Sequence, residues 1–145
     1  MKSLKAYLKA KKYIQIPLAL TATNHFEVAA EINGILGHFI LDTGASNTCI
    51  GMHKIDFFNL ITEISDIKAA GAGATEMKTF ISNKNRVELG AWKKKKQKLV
   101  LFDLVHVNNA LTSHNAKPVD GIIGADILKK GKGIIDYDKK KLYLK

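Results

Sequence analysis

The stretch that most constrains this chain is Phe39-Ile40-Leu41-Asp42-Thr43-Gly44-Ala45-Ser46-Asn47-Thr48-Cys49-Ile50. An apolar run delivers one carboxylate, Asp42, into a tight Thr-Gly-Ala-Ser turn, and a second apolar stretch leaves it. Strands that are apolar on successive residues are buried on both faces, so this segment demands a sheet covered on two sides. Asp42 then stands at the edge of a core, where water is scarce and a charge is costly to keep. Gly44 is expected to supply a backbone conformation closed to residues with a Cβ, so that the main chain can pass close to whatever the carboxylate faces. The Thr43 hydroxyl is available to brace the turn. On the tripeptide alone, an Asx-type turn in which Asp42 caps its own loop is the simpler explanation.

The rest of the chain supplies context. Tyr13 to Leu20 and Phe26 to Ile32 read as strands, the second alternating Phe26, Val28, Ala30 and Ile32 with other residues. Asn33-Gly34 is a strong hairpin signal, because both residues tolerate positive φ, and it leads directly into Ile35 to Leu41. Asp42 is therefore mounted at the far end of a hairpin's second strand, a rigid place for a reactive group. Met52 to Leu60 reads as a helical turn or an irregular connection. Ile61 to Ala70 and Thr75 to Ser82 flank Gly71-Ala72-Gly73-Ala74, two strand-forming segments joined by a glycine-rich tip. A plain surface hairpin explains that arrangement as well as a moving one does. A phosphate loop does not, since the third glycine and the Lys-Ser/Thr pair are missing. Arg86 to Leu89 and Leu99 to Val107 continue the strand pattern, with Lys93-Lys94-Lys95-Lys96 expected at a solvated hairpin tip. Asn108 to Lys117 reads as a loop. Gly121-Ile122-Ile123-Gly124-Ala125-Asp126-Ile127-Leu128 then gives a short strand and a short helix, with Asp126 at an N-cap or in the first turn and Gly131 as C-cap. Ile134 to Tyr137 and Leu142 to Leu144 close the chain as a hairpin.

At Asp42-Thr43-Gly44-Ala45, together with the later Gly121 to Leu128 block, the sequence resembles the retropepsin-like (retroviral-type) aspartic proteases. That family pairs an apolar-apolar-Asp-Thr/Ser-Gly-Ala/Ser turn with a late apolar-apolar-Gly signature followed by a short helix and a terminal strand. Each motif alone is weak, and the pair in this order is specific. The resemblance spreads over roughly residues 13 to 144. Retroviral members usually carry Arg after the late glycine, where Ala125-Asp126 stands here, so the pattern is closer to non-viral, single-unit relatives. The resemblance implies an all-β fold, a closed acid-protease barrel with one or two short helices and one catalytic Asp per chain. It implies Asp42 as the catalytic residue, Thr43, Gly44 and Ala45 as the active-site turn, and Gly71, Ala72 and Gly73 as a flap over bound peptide.

Carboxylate-only hydrolysis of a peptide bond needs two acids, one to take a proton from water and one to support the carbonyl oxygen. Only one Asp-Thr-Gly is present, so the second Asp42 is expected from another copy of the chain, which a twofold axis supplies automatically. The expectation is a homodimeric aspartic endopeptidase acting on a polypeptide substrate, with no cofactor and no metal. The five histidines show no ligand spacing. A barrel of the same fold that binds a peptide or protein without cutting it is the alternative reading.

At 145 residues, 46% hydrophobic and 25% charged, the chain suits one soluble domain, residues 13–145, preceded by a basic segment, residues 1–12. Lys-rich residues before an apolar Tyr13 to Ala22 loosely imitate a secretory signal, but Gln15 and Pro17 interrupt the run and it is too short to span a bilayer. A cytoplasmic location is expected. Cys49 is the one cysteine, so no intrachain disulfide forms, and a small buried hydrophobe is the expected role. The net charge of +10 would attract nucleic acid or an anionic membrane. Arg86 is the only arginine, however, and no aromatics interleave with the lysines, which argues against nucleic-acid recognition.

Overall fold

The computed structural model describes residues 2–64 and 79–145. Among these there are eleven strands: β1 Ile14–Pro17, β2 Ala19–Leu20, β3 Phe26–Ile32, β4 Ile35–Leu41, β5 Cys49–Gly51, β6 Glu63–Ile64, β7 Phe80–Leu89, β8 Trp92–Phe102, β9 Gly121–Ile123, β10 Ile134–Asp136 and β11 Lys141–Leu144. Three short helices accompany them, α1 Leu4–Ala10, α2 Val105–Ser113 and α3 Ala125–Lys130, with a single 3-10 turn at Met52–Lys54.

Six strands close on themselves in the order β3-β4-β9-β5-β8-β7, and β7 returns to β3 through Glu31↔Glu88 and Ile32↔Val87. The ring is mixed: β4–β9 and β5–β8 are parallel, the other pairs antiparallel. Closure removes the exposed edges that an open sheet of this size would present. A separate three-stranded sheet, β1-β11-β10, packs at one end.

The successive apolar residues of β4, β5, β8 and β9 divide between two cores. Phe39, Leu41, Ile50, Leu99, Leu101 and Ile123 point into the barrel. Their neighbours Ile40, Cys49, Val100, Phe102 and Ile122 form a second cluster with Leu104, Leu111 and Val119 beneath α2. This is why those segments lack alternation, whereas β3, covered on one face, shows it. The Asn33-Gly34 turn forms with φ of 52° and 83°, as a tight hairpin requires. Asn33 also ties the turn to β7, accepting from Arg86 N–H at 3.0 Å and donating to the Asn85 side chain at 3.0 Å.

Several expectations change. Tyr13 to Leu20 is not one strand: the chain switches sheets at Leu18, β1 pairing with β11 and β2 with β3. The basic N-terminal segment contains a helix, started by Ser3, whose hydroxyl accepts from Ala6 N–H at 3.1 Å. Lys93 to Lys96 are not a hairpin tip but part of β8; the turn is Gly90-Ala91, with Gly90 at φ 56°. Trp92, Gln97 and Leu99 supply the buried side of β8, and the lysines occupy its solvated side with an irregularity at Lys96, φ 58°. Arg86 to Leu89 is the end of a ten-residue strand rather than a strand of its own. The strand expected through Val107 stops at Phe102, and α2 replaces most of the expected Asn108 to Lys117 loop. Asp103 accepts from Val105 N–H at 2.9 Å, and Asn108 fastens the helix to Val119 N–H at 2.7 Å. Few apolar residues were needed to dock it, so its period was hidden.

Candidate active site

β4 ends at the buried Leu41, and the chain turns immediately. Asp42 N–H donates to Ile123 C=O at 3.0 Å, which extends the β4–β9 pairing up to the carboxylate's own residue. Gly44 N–H donates to Asp42 Oδ1 at 2.8 Å and Ala45 N–H to Asp42 C=O at 3.3 Å, so the Asx-type turn is formed. Asp42, Thr43, Gly44 and Ser46 are exposed and Ala45 is half-buried. The expected water-poor setting of Asp42 is therefore not present within the single chain, because the turn projects beyond the last buried residue of β4.

Gly44 does not adopt positive φ; among the described glycines only Gly34 and Gly90 do. Its smallness still matters, because a Cβ there would sit 3.2 Å from Asp42 Oδ1, the oxygen its own N–H holds. Thr43 lines two grooves. One, of about 400 Å³, lies between the Asp42 turn, the Asn24–His25 turn and the β10–β11 hairpin, with Leu20, His25, Phe26, Tyr137 and Lys140 in its walls. The other is bordered by Leu128, Lys129 and Ile135. Phe26 and Tyr137 pack with ring centroids 5.0 Å apart, joining the first groove's two sides. His25 Nδ1 is 2.8 Å from Thr23 Oγ1.

The late glycine block meets this turn directly. Ala125 N–H donates to Ala45 C=O at 2.7 Å, and Gly124 N–H donates to Thr48 Oγ1 at 3.0 Å. Gly124 has no room for more: a Cβ would lie 2.7 Å from both Ala45 C=O and Asn47 C=O. At Gly121 a Cβ would collide with Cys49 C=O. The two motifs are thus one interlocked unit, and their glycines are set by close approach rather than by unusual dihedrals.

A polar chain that sequence reasoning did not find holds the unit from behind. Thr48 Oγ1 donates to Asp126 Oδ1 at 2.7 Å, Gln97 Nε2 donates to Asp126 Oδ2 at 3.1 Å, and Ile127 N–H donates to Asp126 Oδ1 at 2.8 Å. Lys130 Nζ completes it by donating to Gln97 Oε1 at 2.9 Å. Asp126 is a first-turn acid of α3, not its N-cap, which is Gly124; Gly131 is the C-cap. The placement of Asp126 in α3 was visible in the sequence, but nothing local links it to Gln97, 29 residues away. Cys49 lies buried beneath the turn, and burial, with the Asp126 and Asp42 charges adding to it, pushes its thiol up to about 12. Such a thiol is no nucleophile at neutral pH.

Of the expected flap, the stem is described: β6 pairs with β7 through Glu63↔Ile81 and Ile64↔Phe80. Gly71, Ala72 and Gly73 lie outside the described residues. Among the described residues no group of three or more His, Cys, Asp or Glu side chains is placed to hold a metal ion.

Comparison with known proteins agrees with this geometry. The aspartyl protease family matches residues 28–127. No curated protein is significantly similar. A retropepsin-like aspartic protease from Rickettsia conorii superposes with a TM-score of 0.56 at 20% identity, covering 91% of this chain and 89% of that one. The retroviral protease-like domain of Ddi1 from Leishmania major gives 0.59 at 18% identity, covering 83% and 87%. EIAV protease, complexed with the inhibitor HBY-793, gives 0.55 at 19%, covering 72% and 86%. The matched span takes in the Asp42 turn and all but the last residue of the Gly121 to Leu128 block, and the fold is that of these structures, so the chain belongs to the aspartyl protease family and has the retropepsin-like fold.

Proposed function

We propose that the protein is an endopeptidase that works as a homodimer, with Asp42 and the same residue of a second copy forming the catalytic pair. The observation that carries this reading is an exposed carboxylate held at the end of a closed barrel by an interlocked turn, with one such turn per chain. Two carboxyls brought into contact share a proton and titrate as a unit. The ionised member takes a proton from water as it attacks the peptide carbonyl. The protonated member hydrogen-bonds the carbonyl oxygen as charge develops there. Thr43, Gly44 and Ala45 keep the two turns in register, and the groove beside Asp42 receives a substrate side chain. Gly71, Ala72 and Gly73 cover the bound peptide.

Geometry favours a twofold partner at this end of the molecule. Among the described residues β10 has β11 on one side only, and Ile135 of β10 borders both grooves next to Thr43. The test is Asp42→Asn, assayed on mixed peptides alongside sedimentation. The expected variant folds and dimerises like the parent and loses cleavage by on the order of a thousandfold or more. Parent-like cleavage by that variant, or an active protein that stays strictly monomeric, overturns the proposal. A secondary-alcohol mimic of the tetrahedral intermediate should block the parent, an effect that a non-hydrolysing peptide-binding barrel could not show.

A further inference from the structure

Charge in this chain is unevenly distributed. No acidic residue precedes Glu27, none lies between Glu88 and Asp103, and none between Asp126 and Asp136. The fold brings these three acid-free segments together around Tyr13 and Lys145. The Tyr13 hydroxyl donates to Lys132 C=O at 3.0 Å, and the Lys145 ammonium lies 5.9 Å from the Tyr13 ring centroid. Lys145 N–H donates to Gly131 C=O at 2.7 Å, and the Trp92 indole donates to Lys145 C=O at 3.3 Å.

The helix α1 stands on this basic face. Its only buried residue is Leu8, whose carbonyl accepts from Tyr13 N–H at 3.0 Å. Leu4 and Tyr7 share the helical stripe with Leu8, yet they remain 46% and 50% exposed. Lys5, Lys9, Lys11 and Lys12 are exposed around them, and the Lys11 ammonium lies 5.6 Å from the Tyr7 ring centroid. A helix with an open apolar pair inside a ring of lysines fits a boundary where charge lies above hydrocarbon.

We propose that this face docks the protein peripherally on an anionic lipid bilayer, with Leu4 and Tyr7 entering the headgroup region and the lysines facing the lipid anions. No described helix is long and apolar enough to cross a membrane, so the contact is a surface one. Polyanion binding through charge alone would leave Leu4 and Tyr7 without a role. Nucleic-acid recognition also lacks its usual tools: Arg86 is engaged with Glu88 at 2.9 Å and Trp92 is buried.

The test is sedimentation of the full chain with phosphatidylcholine vesicles and with vesicles containing phosphatidylserine. Binding to the anionic vesicles is expected to exceed that to neutral ones by about tenfold or more and to weaken as salt rises. Leu4→Ser with Tyr7→Ser leaves the net charge unchanged and should lower vesicle binding by about tenfold. Lys9→Gln with Lys11→Gln should lower it by a similar factor. All four positions are exposed, and an unchanged melting temperature shows that a loss of binding is not a loss of fold. The proposal is overturned if the chain ignores anionic vesicles, if the Leu4/Tyr7 variant binds them as the parent does, or if a single-stranded oligonucleotide is bound more tightly at the same salt.

Discussion

Asp42 and Cys49 sit on opposite sides of one turn and differ in what water can reach. The Asp42 carboxylate is exposed and fixed by a single N–H from Gly44, so it is positioned without being neutralised by a basic partner of its own turn. Cys49 is buried on β5, and burial, reinforced by the Asp126 and Asp42 charges, raises its thiol from an ordinary value of 9.0 to about 12. A folded-state pKa above the unfolded one means that the native chain holds this proton more tightly. The resulting stability is fully present below about pH 9 and is lost as pH rises towards 12. Comparing the parent with Cys49→Ala therefore has a definite sign: the stability difference between them should shift in the variant's favour as pH passes from 9 towards 11, read by chemical denaturation. A thiol reagent at neutral pH should label Cys49 only as the protein unfolds. The chemical identity of these two residues was legible in the sequence. The exposure of Asp42 was not, because a strand's apolar run shows where burial ends only when its neighbours are known.

At the scale of elements, the Asp42 turn is held by β9 and α3 more than by itself. Thr48 is the joint: its hydroxyl accepts from Gly124 N–H and donates to Asp126. Thr48→Val keeps the shape and removes both bonds, leaving a buried N–H unpaired, and should cost about 1–3 kcal/mol of stability. Gly124→Ala pushes a methyl against two backbone oxygens and should cost about as much, or more, with a fall in cleavage because the turn itself must shift. Denaturation midpoints and kcat/KM on one peptide would check both; a Gly124→Ala variant as stable and active as the parent would show that the interlock does not hold the turn. Elements governed by local chemistry were readable in advance, as with the Asn33-Gly34 hairpin and the glycine-bounded α3. Those governed by contacts were not. α2 docks through Leu111, the partly buried Val107 and an asparagine rather than a broad apolar face, and the first half of β8 keeps its lysines because only its other side is buried. α1 had a capping serine in plain view, but its lysine-rich composition concealed a helix anchored by one leucine.

For the whole molecule, barrel closure rests on the β3–β7 pairing, which no local pattern announces: Glu31 faces Glu88, and Arg86 offsets that juxtaposition. The chain carries one Asp-Thr-Gly turn, and this makes the proposed activity a property of pairs of chains. Mixing distinguishes that from any single-chain mechanism. When the parent and Asp42→Asn are combined in equal amounts and allowed to exchange, random pairing leaves about half of the parent chains in parent–parent dimers. A mixed dimer carries one carboxyl and one amide, which cannot share a proton as two carboxyls do. Activity per parent chain should therefore fall to about half, and further with excess variant, while total protein rises. Dilution should lower specific activity for the same reason, as dimers dissociate. An enzyme complete in one chain would show neither effect, its rate per parent chain staying constant at every mixing ratio and every concentration.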